Sequence, residues 1–145
     1  MQTSPNGKNL IKSNEGFVNH VYNDNGALAI AYGHRLLPGE SFPGNITEAQ
    51  ASDILDKDLP HFEAMVNQRV PASCNQNQFD SLVDFTYNVR NQPSSLEQLL
   101  FHGWDQVPVQ LPRWDKKHLS DGTVVEDAGL KARRMREVVL FNTPV

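Results

Sequence analysis

The feature that most constrains the fold is a hairpin signal within residues 15–34, which read EGFVNHVYNDNGALAIAYGH. Two short runs with strand character, residues 18–22 and 27–32, flank the turn sequence Asn23-Asp24-Asn25-Gly26. Asn-Gly and Asp-Asn pairs tolerate positive φ angles, and such pairs close β-hairpins. The stretch therefore predicts a β-hairpin in this part of the chain.

Two carboxylates stand beside this hairpin. Glu15 closes a helix that is expected to begin near Ser4 and Pro5 and to stop at Gly16. Asp24 lies in the predicted turn. Two acids held on opposite sides of a groove are the minimum needed to cleave a glycosidic bond. Most Glu and Asp side chains are solvated surface charges, so the pair gains meaning only from its context.

The rest of the chain carries mainly helical signals. Thr47 and Gln50 form a capping box ahead of a helix with one apolar stripe, and Pro60 is expected to kink or split that helix. Residues 75–89 have the strongest amphipathic pattern and predict the buried centre of a helical lobe. A last helix is expected over residues 130–141. These signals predict an α+β fold that is mainly helical.

The motifs resemble the phage-type lysozymes, glycoside hydrolase family 24. The resemblance rests on E-G-F, Y-x-D-x-G and I-x-Y-G-H in residues 15–34, on F-D-S-L-V-D-F-T-Y-N-V from Phe79, and on G-L-x-x-R-R from Gly129. It extends from about residue 10 to residue 141. It implies a lysozyme-like two-lobed fold in a single domain, 1–145, with a β lobe at about 17–45. The helical lobe, at about 46–145, would also include the N-terminal helix.

The resemblance also implies roles for individual residues. Glu15 matches the general acid of the family, and Asp24 matches the acid that holds the attacking water. One Arg of the closing motif reaches the catalytic Glu in that family; this corresponds to Arg133, with Arg134 as the alternative. Ala29 occupies the position of the Thr that helps to hold the water.

Three further residues are candidates for substrate binding: Tyr32, Tyr87 and Asn88. In the resembled family the helix end that carries Tyr87 and Asn88 lines the sugar cleft, while core packing is the competing interpretation of Tyr87. His34 is expected to be structural and to tie its strand to a neighbouring carboxylate.

The implied activity is that of a bacteriolytic muramidase, or endolysin, which cleaves the β-1,4 bond between N-acetylmuramic acid and N-acetylglucosamine in peptidoglycan. A methyl group at Ala29 does not hydrogen-bond water, so three interpretations stay open. The chain is a slow hydrolase that uses Asp24 alone, a lytic transglycosylase that needs Glu15 but no water, or a glycan-binding module without catalysis.

Composition argues against several other classes. The net charge of −4 argues against non-specific nucleic-acid binding, and no apolar run is long enough to span a bilayer. One cysteine, Cys74, and five scattered histidines give no metal-ligand spacing, so neither a metal nor a cofactor is expected. Basic residues concentrate in the C-terminal third, where a local basic face would meet an acidic polymer or simply be solvated.

Peptidoglycan is the expected partner, bound by a monomer. The N-terminus lacks the apolar core of a signal peptide, so we expect synthesis in the cytoplasm and access to the wall through a lysis pore or as a secreted effector. A phage lysis enzyme and a toxin domain injected into rival bacteria have the same sequence features. The toxin would imply an immunity protein that plugs the cleft.

Overall fold

A computed structural model of the protein describes residues 1–90 and 94–145. The helices are α1 (Pro5–Glu15), α2 (Glu48–Asn67), α3 (Gln76–Val89), α4 (Ser95–Leu100), α5 (Val107–Gln110) and α6 (Ala128–Asn142), with 3₁₀ turns at Trp104–Gln106 and Leu111–Arg113. The strands are β1 (Val18–Asp24), β2 (Ala27–Ala31), β3 (His34–Arg35), β4 (Lys116–His118) and β5 (Val124–Glu126). The predicted α+β, mainly helical fold is confirmed.

The predicted hairpin is formed by β1 and β2, and β3 adds a third antiparallel strand. Asp24 pairs with Ala27, so the loop consists of Asn25 and Gly26 alone, with φ angles of 51° and 92°. Positive φ at both central residues is what a two-residue hairpin turn requires. Asp24 is therefore the last residue of β1 and does not lie inside the turn.

Helix α1 ends where the sequence predicts. The Ser4 side chain accepts a hydrogen bond from the Gly7 N–H at the start, and Gly16 follows the helix with a φ of 75°. A left-handed residue of this kind is accessible to glycine without a steric penalty from a side chain. As a result Glu15 is the last residue of α1 and stands next to the start of β1.

Helix α2 begins with the predicted capping box between Thr47 and Gln50. It continues for 20 residues through Pro60 and is not divided there. Apolar side chains on both sides of Pro60, including Leu59 and Phe62, are buried in the common core. This burial outweighs the one backbone hydrogen bond that proline removes.

Helix α3 is the centre of the helical part, as predicted. It packs against α1, α2 and α6 and is buried on every side over most of its length. Two carboxylates on it, Asp80 and Asp84, are completely buried. Buried charges require partners. Ser4 and Gln76 donate hydrogen bonds to Asp80, and Asn14 on α1 and Arg133 on α6 donate to Asp84.

The second hairpin, formed by β4 and β5, was not predicted. All six of its strand residues are exposed, and Lys116, Lys117 and His118 show no alternation of apolar and polar side chains. A turn at Asp121 and Gly122 joins the two strands, and the Thr123 N–H donates a hydrogen bond to Asp121 Oδ1 there. Among the described residues, no helix combines the length and the apolar character needed to cross a bilayer.

Candidate active site

The side chain of Glu15 is held by an ion pair that crosses the helical core. Arg133 Nη1 on α6 donates a 2.7 Å hydrogen bond to Glu15 Oε1. The Glu15 side chain is 16% exposed and the Arg133 side chain 7%. The ion pair expected between these two residues is therefore present, and the Glu15 side chain stays partly accessible to solvent.

Arg133 is itself fixed by Asp84 on α3. Its Nε and Nη2 atoms donate to the two carboxylate oxygens of Asp84 at 3.0 and 2.8 Å. Asn14 Nδ2 donates to the same carboxylate at 3.0 Å. Burial alone would lower the pKa of the Arg133 guanidinium, but the charges of Asp84 and Glu15 raise it above its ordinary value. The bidentate pair thus sets the direction in which Arg133 presents Nη1 to Glu15.

The second arginine of the closing motif does not reach Glu15. Arg134 is completely buried, donates a hydrogen bond to Asn88 Oδ1, and has its guanidinium 4.9 Å from the centre of the Phe85 ring. Its Nη2 atom lies 3.3 Å from a carboxylate oxygen of Glu137. Burial raises the pKa of the Glu137 carboxyl well above its ordinary value. Arg134 therefore holds α6 against α3.

Gly33 forms the wall on which Glu15 rests. A Cβ atom added at Gly33 would lie 2.6 Å from Glu15 Oε2 and 3.3 Å from Arg90 Nη2. Its φ of +74° is also one that residues with a side chain rarely adopt. Glu15 and Arg90 are thus neighbours across this glycine.

Arg90 was not identified from the sequence. It follows α3 with φ 42° and ψ −86°, and its guanidinium carbon lies 4.1 Å from the centre of the Tyr87 ring. An arginine after a helix is an ordinary surface residue, and no local motif marks it. Its proximity to Glu15 arises only when α3 packs beside Gly33.

Asp24 is the more exposed of the two predicted acids. Its side chain is 45% exposed, and its carboxylate lies 3.6 Å from Arg35 Nη2 on β3. Tyr22, two residues earlier, is on the same side of β1. Burial, followed by the charges of Asp24 and Glu15, raises the pKa of the Tyr22 phenol. Tyr22 therefore lies within electrostatic reach of both carboxylates.

Ala29 pairs directly with Tyr22 across the sheet and is completely buried. Residues paired in this way have side chains on the same face. The methyl group of Ala29 therefore lies on the face that carries Tyr22, and it offers no hydrogen-bonding group there.

Of the three substrate-binding candidates, only Asn88 lines a groove. Tyr87 is completely buried and donates its hydroxyl to the Tyr32 carbonyl at 2.7 Å. Tyr32 is 7% exposed, and its hydroxyl donates to Glu48 Oε1 at 2.9 Å. The assignment of Tyr87 to the cleft surface is corrected, since core packing consumes both its ring and its hydroxyl, and Tyr32 contributes mainly to packing.

His34 has the structural role that was predicted. Its Nδ1 lies 2.7 Å from Asp58 Oδ2 on α2, and its Nε2 lies 2.6 Å from Glu40 Oε1. The hydrogen bond with Asp58, opposed by burial and supported by Glu40, raises the pKa of His34. The imidazole therefore joins β3 to α2.

A groove with a volume of about 920 Å³ runs from the first sheet past the end of α3 to β4. We call it the basic groove, because its lining includes Arg35, Arg90, Arg113, Lys116 and Lys117. No Asp or Glu is among the lining residues in the described part of the chain. The groove adjoins both predicted acids, since Arg35 approaches Asp24 and Arg90 lies across Gly33 from Glu15.

The chain is similar in sequence and in fold to known proteins over almost its whole length. The Phage lysozyme family model matches residues 12–137. The endolysin of Bacillus phage PZA is 39% identical over 99% of this chain and 56% of its own length. The endolysin of Salmonella phage P22 is 30% identical over 97% of this chain and 98% of its own length. The muramidase domain of SpmX from Asticaccaulis excentricus superposes with a TM-score of 0.85 at 29% identity, with 99% of each chain covered.

The chain spans a little over half the length of the curated relatives first matched, from 55% to 62%. The match of the family model, the near-complete overlap with the Salmonella phage endolysin and the shared α+β fold agree with one another. The chain belongs to the phage lysozyme family.

Proposed function

We propose that this protein is a lysozyme-type glycoside hydrolase that cleaves the β-1,4 bond between N-acetylmuramic acid and N-acetylglucosamine in peptidoglycan. The observation that carries the proposal is the carboxyl group of Glu15, held at a helix end by a buried arginine and partly exposed. A positioned carboxyl of this kind suits proton donation to a leaving glycosidic oxygen.

In the proposed mechanism Glu15 protonates the leaving oxygen. Arg133, which is itself fixed by Asp84, keeps the Glu15 carboxyl group in one orientation through its hydrogen bond to Oε1. Asp24, exposed at the end of β1, accepts a proton from water that attacks the opposite face of the sugar. This is inverting chemistry, for which two carboxyl groups about 6.5–9.5 Å apart are typical.

A second candidate is a lytic transglycosylase, and Ala29 favours it. The buried methyl group gives no hydrogen bond to an attacking water on the face that carries Tyr22. A transglycosylase needs Glu15 as acid and base but uses no water. The C6 hydroxyl oxygen of the muramyl sugar bonds to the anomeric carbon of the same sugar and displaces the leaving oxygen. A glycan-binding module without catalysis is the third outcome.

One experiment separates these candidates. Purified sacculi are incubated with the protein, and the released products are identified by mass spectrometry. Muropeptides with reducing ends support hydrolysis, 1,6-anhydro products support transglycosylation, and sacculi that remain intact with protein bound support a binding module. Intact sacculi without bound protein would contradict the whole proposal.

We further propose that residues 1–145 act as one domain, with a β lobe at about 17–45 and a helical lobe that includes α1. Peptidoglycan is the proposed partner of a monomer, and the proposed site of action is the bacterial cell wall. An immunity protein belongs to the proposal only if the domain is delivered as a toxin. The molecular mass of the purified protein, measured by analytical ultracentrifugation, tests whether it is a monomer.

A further inference from the structure

The charged side chains that line the basic groove are positive, whereas the net charge of the whole chain is negative. The chain has 17 acidic and 13 basic residues and a net charge of −4. Five of the arginines and lysines nevertheless line one groove, without a carboxylate among the described lining residues. Cations gathered in a concave surface attract an anionic ligand and repel one another when the groove is empty.

Three of these five cations have no carboxylate partner in the described residues. Arg35 lies 3.6 Å from Asp24, and Lys116 pairs with Asp115 and Glu126. By contrast Arg90, Arg113 and Lys117 make no ion pair in the described part of the chain. The nearest polar contact of Arg113 is a 3.3 Å hydrogen bond to Gln110. The groove therefore has positive charge left over for a ligand.

Arg90 is the unpaired cation closest to the proposed acid. Its guanidinium lies over the Tyr87 ring, and its Nη2 atom lies 3.3 Å from the position that a Cβ atom on Gly33 would take, which is also 2.6 Å from Glu15 Oε2. Arg90 also has a side-chain hydrogen bond with Tyr87. A guanidinium has five N–H donors, and two parallel ones match the oxygens of a carboxylate. The positive φ of Arg90, 42°, is an unusual conformation that the fold maintains at this point.

We propose that the basic groove binds a carboxylate carried by the muramyl sugar next to the cleaved bond, and that Arg90 is the residue that pairs with it. This inference rests on the proposed function and names the substrate feature that the same site selects. In this proposal Arg90 determines specificity, because it lies beside Glu15 and pairs with the substrate carboxylate without transferring a proton.

The chemistry of the glycan supplies such a group in two ways. Muramic acid carries a lactyl ether, and N-acetylglucosamine does not. On a strand without peptides the lactyl carboxylate is free, and it is carried by the same sugar whose anomeric carbon forms the cleaved bond. On a strand with peptides the lactyl group is an amide, and the carboxylates belong to the peptide. Both sources present a carboxylate to Arg90, and a free lactyl group would place this enzyme after an amidase.

The test measures binding with the Glu15→Gln protein, so that no probe is cleaved. Four neutral or charged probes are titrated: a muramyl tetrasaccharide with free lactyl carboxylates, its lactyl methylamide, its conjugate with an L-alanyl-D-glutamate dipeptide, and chitotetraose. We expect at least one carboxylate-bearing probe to bind about tenfold more tightly than the methylamide and chitotetraose, because a charge-assisted pair replaces a neutral one. The probe that gains affinity identifies the source of the carboxylate.

Variants in the same background then assign the effect to Arg90. Arg90→Gly removes the guanidinium and suits the positive φ, so we expect a folded protein that binds all four probes alike. Lys117→Gln, on an exposed strand, is expected to weaken binding of the charged probes by a smaller factor. The paired change Lys8→Gln and Lys57→Gln removes two cations of α1 and α2 outside the groove and is expected to leave the preference unchanged.

Equal affinities for charged and neutral probes would overturn the inference, as would an Arg90→Gly protein that keeps the preference. The result stands apart from the proposed function. A protein that prefers carboxylates but leaves sacculi intact supports the groove and contradicts the hydrolase. A protein that degrades sacculi without any preference contradicts the groove alone.

Discussion

The carboxylate of Glu15 and the guanidinium of Arg133 are joined by a 2.7 Å hydrogen bond although 118 positions separate them in the chain. The bond connects the end of α1 to α6, and Asp84 on α3 holds the other side of the same guanidinium. Three helices thus contribute to the orientation of one carboxyl group. The consequences of this arrangement for stability and for activity are separable.

Replacing Arg133 tests how much its buried ion pairs contribute to the stability of the fold. Arg133→Gln leaves the buried charge of Asp84 without its cation, which we expect to lower the free energy of unfolding by about 3–5 kcal/mol. Urea unfolding followed by circular dichroism measures this. Arg136→Gln is the matched control on the same helix, because Arg136 makes an exposed hydrogen bond to Asn14 and no ion pair with any residue that the structure describes. Equal losses in the two variants would contradict the importance of the buried pair.

Replacing Gly33 tests the placement of Glu15. The new methyl group of Gly33→Ala would lie 2.6 Å from Glu15 Oε2, so the carboxyl must move, and we expect turnover on sacculi to fall about a hundredfold. Gly39→Ala is the control: its φ of +81° causes comparable backbone strain, but no atom lies within 4 Å of the added Cβ. Similar stability losses with activity lost only in Gly33→Ala are expected. Unchanged turnover in a folded Gly33→Ala protein would refute this role.

Replacing Ala29 tests whether water positioning limits the reaction. Ala29→Thr adds a hydroxyl beside Tyr22, and we expect turnover on peptidoglycan to rise roughly ten- to a thousandfold if the protein is an impaired inverting hydrolase. Because Ala29 is completely buried, the same change is expected to cost about 1–3 kcal/mol of stability through overpacking. Strand propensity favours threonine at this position, but the complete burial of Ala29 opposes the added volume.

Ala29→Val separates the hydroxyl from the added volume, since valine has nearly the shape of threonine. Only the threonine variant should gain activity, while both lose stability. Product masses are recorded with the rates, because a transglycosylase would gain hydrolytic products at most. Equal rates and unchanged products for the wild type and Ala29→Thr would remove the impaired hydrolase from consideration.

The pairs of His34 predict a pH dependence of stability. Its folded-state pKa is raised above the ordinary value of 6.5, so its contribution is complete below the unfolded-state pKa and is lost as the pH rises through the folded-state pKa. At pH values where Asp58 and Glu40 are ionised, the stability difference between the wild type and His34→Gln should therefore shrink with increasing pH. His20→Gln, at an exposed position, is the control for the loss of an imidazole. A difference that grows with pH would contradict the assignment.

Much of the fold followed from local sequence signals. The hairpin at Asn25-Gly26, the end of α1 at Gly16 and the capping box at Thr47 each depend on neighbouring residues, so the sequence could predict them. The hairpin of β4 and β5 could not be predicted in this way. Both strands have three exposed residues each, β4 is basic, and the two valines of β5 are too short a run to indicate a strand.

The candidate site likewise contains residues that local motifs indicate and residues that they do not. Glu15, Asp24 and Arg133 stand in motifs with fixed spacing, and the contact between Glu15 and Arg133 is present in the fold. Arg90 and Asp84 carry no such signal, because their importance arises when distant helices pack together. For Tyr87 the sequence left a cleft role and core packing open, because a periodic helix pattern does not distinguish a core face from a cleft face at the helix end, and the structure shows core packing.

The most direct measurement is the clearing of purified sacculi by Glu15→Gln, compared with the wild type and with Glu97→Gln at an exposed position. Glutamine keeps an oxygen that accepts the hydrogen bond from Arg133, so the variant should remain folded by circular dichroism, but it has no proton to give to the leaving oxygen. We predict that clearing falls to background, a loss of at least about a hundredfold, while Glu97→Gln clears at the wild-type rate. A folded Glu15→Gln protein that clears sacculi at the wild-type rate would contradict the assignment of Glu15 as the general acid.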